Sequence, residues 1–550
     1  MDTTHITLPA ETNQARGLAE YAIGFMSDDP ARRGEPDRAV LDRTELFHTD
    51  ACLCGVSALA LGTNAPTVLR AEALQYPSAQ NAPGPGLGRS TRHGATVFGL
   101  GPDGRPARVK AEKAIVANCS AVREWDSNGT NFGYNPGRGA TAGEFGHNDF
   151  YPVAIAAAQM LGADGATALR GMVLIDEIRG RLAEVFSLKS YKIDHVVHGA
   201  IASAAGFGAM VGATAEQIES AIGMVVAHYV PFRAIRAGKQ LSDSKGASAA
   251  ISTEAAILSV KRSMAGFMGP RDIFRNPEAI FRLFEGPGRV FESATQRRSD
   301  GAAEGVGSEK WDASPFDLVL GRTGSDFAVM GMHFKLGLYE HQSAGAIQAM
   351  LDLLAKSPEL LEDAEGGRIE RIRVVAYEPA FGIIGDPAKR NPTTRQSADH
   401  SMVYIIATLL RKALEQNRGG GVGWKELMLA PADYSDEAIA NPLTRRLMDK
   451  IELAHGGPEY DRRYPDGIPT SVVITGADGA EHDSGLVMYP AGHARNTTAD
   501  LRDILEAKFR LLGGLASDDV EGLVRRFSGV GAKSADEVNQ MHDFPLRVRG

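Results

Sequence analysis

GATALRGMVLIDEIRGRLAEVF, residues 165–186, and HVVHGAIASAAGFGAMV, residues 195–211, place apolar side chains at three- and four-residue steps and are rich in Ala and Gly. That spacing predicts helices, and small residues let helix axes approach closely. The same periodicity recurs at residues 15–26, 39–61, 107–125, 151–161, 215–228 and 246–264. Strands do not alternate with these helices, so the expected architecture is a tightly packed helical domain rather than a βαβ fold.

Past Pro270 the texture changes. The Gly/Ser/Asp-rich run at 299–307 marks a linker, and beyond it come β-branched or alternating stretches at 368–377 and 470–475. A further strand is expected at 479–488, after the turn at Asp478-Gly479, and a helix at 343–354. The tail, 500–527, is helical again. The fold class expected is therefore mainly α with an α+β second domain. Residues 1–310 form the helical domain, 311–496 a smaller α+β lid, and 497–550 helices returning to the first domain.

The chain has 550 residues, 43% of them hydrophobic, and carries 59 Lys and Arg against 68 Asp and Glu, a formal charge of −9. This is an ordinary globular composition, which excludes disorder and small disulfide scaffolds. The 62 glycines have no collagen period and imply tight turns or close helix contacts. Three cysteines, Cys52, Cys54 and Cys119, make neither a disulfide framework nor a CxxC zinc pair. There is no signal-peptide pattern at the N-terminus, no membrane-length apolar run and no long basic run. A cytosolic protein with neither membrane nor nucleic acid as partner is expected. The NAPGPGLG run at 81–88 has the glycines of a phosphate loop but not the strand–helix setting such a loop needs.

Four constellations carry possible chemistry. Glu124-Trp125-Asp126-Ser127-Asn128-Gly129-Thr130 ends an apolar helix and runs into a Gly-rich loop reaching Glu144, His147 and Asp149. His is the side chain best suited to proton transfer near neutral pH, although Asp126 and Asp149 could equally be helix caps. Arg233 and Arg236 lie three apart, with Lys239 and Lys245 after them, a pattern suited to carboxylates or to a solvated basic face. His333, Lys335, Tyr339 and His341 fall within nine residues before a helix, at spacings that support zinc only weakly. The last is Tyr489-Pro490-Ala491-Gly492-His493-Ala494-Arg495, which could be a turn. His195 and His198, on an apolar helix, read as core or boundary histidines, and His400 simply sits beside Asp399 ahead of a helix.

From about residue 15 to 512 the chain resembles the MmgE/PrpD family. The resemblance rests on EWDSNGT at 124–130, the Arg233-x-x-Arg236…Lys245 spacing, Phe334-Lys335 before a histidine and a helix, and YPAGHAR at 489–495. Asp194-His195-Val196 and the NP…ADHSMVY stretch at 391–404 are more similar to the branch that dehydrates 2-methylcitrate than to the branch that decarboxylates cis-aconitate. The resemblance implies a homodimer whose all-helical domain is built from both chain ends around an α+β lid. It also implies a hydro-lyase acting on a small di- or tricarboxylate, with no metal and no redox cofactor. Decarboxylation, epimerisation of a dicarboxylate and non-catalytic binding are the alternatives.

By the same resemblance, Asp126, His147, Lys245, Tyr339 and His341 are the catalytic residues, with His147 or Asp126 as base and His341 or Tyr339 as acid. Thr130, His195, Arg233, Arg236 and Lys335 would bind substrate. Three departures stand out. Asn148 follows His147 where the family commonly has Pro, Gly129 stands where the dehydratase pattern has a second acid, and the step from Lys335 to His341 is short.

Overall fold

A computed structural model describes residues 4–78, 94–236, 241–283, 313–416 and 421–548. Its first half is built from helices α1 (Gln14–Met26), α2 (Arg38–Ala60), α3 (Asn64–Ala73), α4 (Ala111–Arg123), α5 (Tyr151–Leu161), α6 (Gly165–Val185), α7 (Val196–Met210), α8 (Ala215–His228) and α9 (Asp243–Met264). Longer helices of the second half are α10 (Ala344–Lys356) and α11 (Met402–Gln416), and toward the C-terminus come α12 (Leu501–Ala516) and α13 (Val520–Phe527), followed by the short helix Ala535–Asn539.

Nearly every side chain of α7 is buried, and it packs against α6, α8 and α9. A helix apolar on all sides belongs in a core. Its small residues are required there. A Cβ on Gly199 would lie 1.9 Å from the Phe150 ring, and one on Gly223 of α8 would lie 1.8 Å from the Pro270 carbonyl oxygen. The glycines counted in the sequence thus set helix separations as well as turns.

In the second half, strands β1 (Ile369–Ala376), β2 (Ile451–His455), β3 (Thr470–Gly476) and β4 (Glu481–Asp483) form one sheet in the order β2-β1-β3-β4. β2 runs parallel to β1, with Ile451 beside Ile372, whereas β3 and β4 add antiparallel edges. Thr470, Val472 and Ile474 alternate inward along β3, which packs on α10. The tail helices α12 and α13 lie on α2, where the Phe527 carbonyl accepts from the His48 ring at 3.1 Å. Strand Leu318–Gly321 pairs antiparallel with His5–Leu8.

Several sequence expectations change in detail. Residues 107–125 are not helix throughout, because Arg108–Lys110 pairs with Gly94–Thr96 and α4 starts only at Ala111. Of 479–488 only Glu481–Asp483 is strand; Gly485, at φ +67°, turns the chain before Val487 bridges back to Thr470. The tail breaks at Ser517, and Asp519 caps α13. Asp149 caps nothing: the residue before α5 is Phe150, and the Asp149 carboxylate accepts from Asn128 at 2.7 Å instead. Runs 81–88 and 299–307 and Lys239 lie outside the described residues. Among the described residues no single helix is long and apolar enough to cross a membrane.

Candidate active site

Past the end of α4, Asp126 adopts φ +51°, a left-handed conformation that Asp tolerates better than most side chains. The turn aims its carboxylate inward, to 2% exposure, where Arg123 and four side chains from farther along the chain meet it. Arg123, at the end of α4, and Lys335 form close ion pairs with Oδ1, and the Lys335 ammonium also donates to the Asp126 carbonyl at 2.6 Å. His147 Nε2 lies 3.5 Å from the same oxygen. On the other side of the carboxylate, Lys245 Nζ from the first turn of α9 and His400 Nε2 each lie 3.3 Å from Oδ2. Burial alone would raise the Asp126 pKa. The Arg123, Lys335 and Lys245 cations outweigh it and hold the carboxyl well below its usual range.

His147 is placed by a short ladder in which Thr130–Asn131 runs antiparallel to Gly146–His147, with the Thr130 hydroxyl donating to the Gly146 carbonyl at 3.0 Å. Thr130 also pairs with His333 through two backbone hydrogen bonds, of 2.7 and 3.0 Å, fastening this loop to the Lys335 segment. Burial, then Arg123 and Lys335, push the His147 imidazole well below its ordinary pKa, so it is neutral near pH 7. Gly129 accommodates Phe47: a Cβ there would come within 2.5 Å of that ring, so the second acid of the dehydratase pattern has no room.

These groups border a cavity of about 80 Å³. Arg123, Arg233, Arg236, Lys245 and Lys389 line it, against the carboxylates of Asp126 and Glu340, together with His147, His195, His400, Thr130 and the apolar Phe132, Phe145, Leu241 and Ile383. Arg233 and Arg236 lie on one 3-10 turn, and both face Asp194. Arg236 Nη2 is 3.2 Å from it, whereas Arg233 Nη1 stands off at 3.9 Å.

Seven of the ten expected residues, Asp126, Thr130, His147, His195, Arg233, Arg236 and Lys245, thus border one cavity. Lys335, fully buried, stands behind Asp126 rather than on the cavity wall. The two expected acids, Tyr339 and His341, are not among the residues that line the cavity. The Tyr339 hydroxyl accepts from the Leu336 amide at 2.9 Å, which turns the ring inward toward Trp424. The His341 ring packs between Phe132 and His333. Arg123, Glu340, Gln342, Lys389 and His400 are the residues sequence reasoning missed. Only Asp399-His400 carried a signal, an acid beside a histidine. Among the described residues no three His, Cys, Asp or Glu side chains are placed to hold a metal ion.

Glu144, behind the loop, accepts from the Lys189 amide at 2.7 Å and the Phe145 amide at 2.9 Å, yet burial raises its carboxyl to about 7. The folded state therefore holds a proton that the unfolded chain releases at the ordinary value of 4.5, and stability falls as pH rises between those values. Glu144→Gln is expected to flatten that slope in denaturation midpoints measured from about pH 4 to 8. An unchanged slope would show Glu144 ionised in the fold.

Family models describe two parts of the chain: residues 66–291 match the MmgE/PrpD N-terminal domain and residues 339–521 the MmgE/PrpD C-terminal domain. The chain is 24% identical over 459 residues to the 2-methylcitrate dehydratase of Salmonella typhi, covering 80% of this chain and 82% of that protein. To the 2-methylcitrate dehydratase of Cupriavidus necator it is 24% identical over 516 residues, 88% of this chain and 92% of that one. To that of Escherichia coli K12 it is 23% identical over 463 residues, at 80% and 82% coverage.

Proposed function

This chain belongs to the MmgE/PrpD family, and from that membership and the cavity around Asp126 we propose that it is a lyase that removes water from a hydroxy-polycarboxylate, 2-methylcitrate or a close relative. The observation that carries this is the charge of the wall. Five cations against two carboxylates, in a chain whose overall charge is −9, suit a ligand bearing two or three carboxylates.

Dehydration needs a base for the proton on a carbon next to a carboxylate, an acid for the leaving hydroxyl, and fixed positive charge where the enolate-like anion develops. His147, neutral and on the cavity wall, is the base. Arg123, Lys245 and Lys389 meet the developing charge, and Arg233 and Arg236 hold the carboxylates away from the reacting bond. In this reading side chains alone supply acid, base and charge, without metal or redox cofactor. The test is to add 2-methylcitrate to the purified protein and follow absorbance of the conjugated alkene; no rise with it or with citrate would refute the reading.

Arg233 has the guanidinium best able to take a ligand carboxylate, since its nearest acid lies 3.9 Å away and its side chain is 27% exposed. A hydrogen bond to a charged group is worth about 1.5–3 kcal/mol. Arg233→Gln is thus expected to raise KM by roughly 10–100-fold with kcat within about threefold. Steady-state kinetics check this, and a fall in kcat at constant KM would place Arg233 at the reacting bond instead.

A further inference from the structure

His400 was the least conspicuous histidine of the sequence, yet it holds a distinctive position. It sits in the turn between the short helix Arg395–Ala398 and α11, on the cavity wall. Its Nδ1 lies 2.6 Å from Asp399 Oδ1 and its Nε2 3.3 Å from Asp126 Oδ2, so each ring nitrogen faces a carboxylate. Only an imidazolium donates on both sides at once. Asp399 is itself fixed, with Arg395 Nη1 3.2 Å from its other oxygen, as the third member of an acid–base triad orients its histidine. Lys245 Nζ, 3.2 Å from His400 Nδ1, opposes the charge. Burial and that lysine keep His400 down at about 4. A bound polycarboxylate brings the negative charge that offsets Lys245.

His147 and His400 therefore flank one carboxylate, His147 at Oδ1 and His400 at Oδ2. Their surroundings differ in the number of carboxylates each meets: His147 faces Asp126 alone, with Arg123 and Lys335 among its neighbours, whereas His400 faces both Asp126 and Asp399, with Lys245 among its neighbours.

We propose that His400, oriented by Asp399, is the general acid that protonates the leaving hydroxyl, opposite His147 as base across Asp126. The step balances. His147 takes the proton from carbon, the C–H electron pair becomes the new double bond, and the C–O bond breaks as the His400 Nε2 proton passes to its oxygen, releasing water. The two histidines end with one proton exchanged and recover by exchange with solvent. This rests on the dehydratase reading above.

The test compares 2-methylcitrate with its analogue carrying fluoride in place of the hydroxyl, because fluoride leaves without protonation. His400→Gln is expected to lower water loss by about 10²–10⁴-fold while fluoride release stays within about tenfold of wild type. Fluoride release also shows that the variant is folded. Equal loss of both reactions in His400→Gln, or no loss of either, overturns the assignment. So does selective rescue by fluoride in His147→Gln or Glu340→Gln, which would make one of those the acid. Asp399→Asn, altering a positioning residue, should show the same split between substrates at smaller amplitude. If wild type releases neither water nor fluoride, the dehydratase reading itself fails, a result distinct from all of these.

Discussion

Asp126→Ala is expected to cost about 3–5 kcal/mol of folding stability and to abolish turnover. The magnitude follows from what the change leaves behind. Arg123, Lys245 and Lys335 are at most 3% exposed, and all three direct their charge at this one carboxylate. Losing Asp126 leaves Lys335 buried without its carboxylate, and Arg123 and Lys245 with only Asp149 at 3.6 Å and Asp399 at 3.3 Å, which costs more than the ion pairs contribute on balance. The left-handed backbone at Asp126 adds no strain relief, because alanine tolerates φ +51° less well than aspartate. Asp126→Asn keeps the shape and loses the charge, so it should fall between wild type and alanine. The sign with pH is fixed by the depressed carboxyl: its stabilisation is fully present above the ordinary value of 3.8 and is lost as pH falls through the much lower folded value. Denaturant midpoints at pH 7 and pH 4, both above 3.8, should therefore show nearly the same loss. A loss under 1 kcal/mol at both would mean that water reaches the cluster.

His147→Ala is expected to lower turnover by about 10²–10⁴-fold while leaving the fold and substrate affinity nearly intact. His147 is held by backbone pairing to Thr130–Asn131 rather than by its ring, and its Nδ1 has no hydrogen-bond partner among the described residues. Removing the ring therefore leaves little unpaired behind. The asymmetry separates the two residues: Asp126 organises the cluster and His147 reacts, so only the first variant should lower stability. Rate and thermal midpoint measured on the same two variants decide it. A His147→Ala enzyme near wild-type rate would transfer the base role to Asp126 or His195.

The helical half was legible because α5, α6, α7 and α8 repeat small apolar residues with little interruption, and their ends fall within a residue of the periodicity. Arg108–Lys110 was not, since three residues of ladder leave no alternation to count. The site was half legible. Residues clustered in sequence, from Asp126 to His147 and from Arg233 to Lys245, are clustered in space as well. Neighbourhood in sequence fails where the chain turns tightly. Tyr339 and His341 follow Lys335 closely, but the 3-10 turn His341–Ser343 and the Tyr339 hydroxyl bond direct both rings into packing, while Glu340 between them reaches the cavity. His400 and Lys389 come from loops more than a hundred residues beyond Lys245. Only tertiary packing brings His400 beside Lys245 and Asp126 and Lys389 to the cavity wall, and no local pattern records that.

The most direct measurement incubates the protein with 2-methylcitrate, citrate and cis-aconitate, each alone, and identifies the products by mass spectrometry. Loss of one water from a hydroxy-tricarboxylate, with cis-aconitate losing no carbon dioxide, is the result expected. Carbon dioxide released from cis-aconitate, or binding of all three acids with no change in mass, would contradict it.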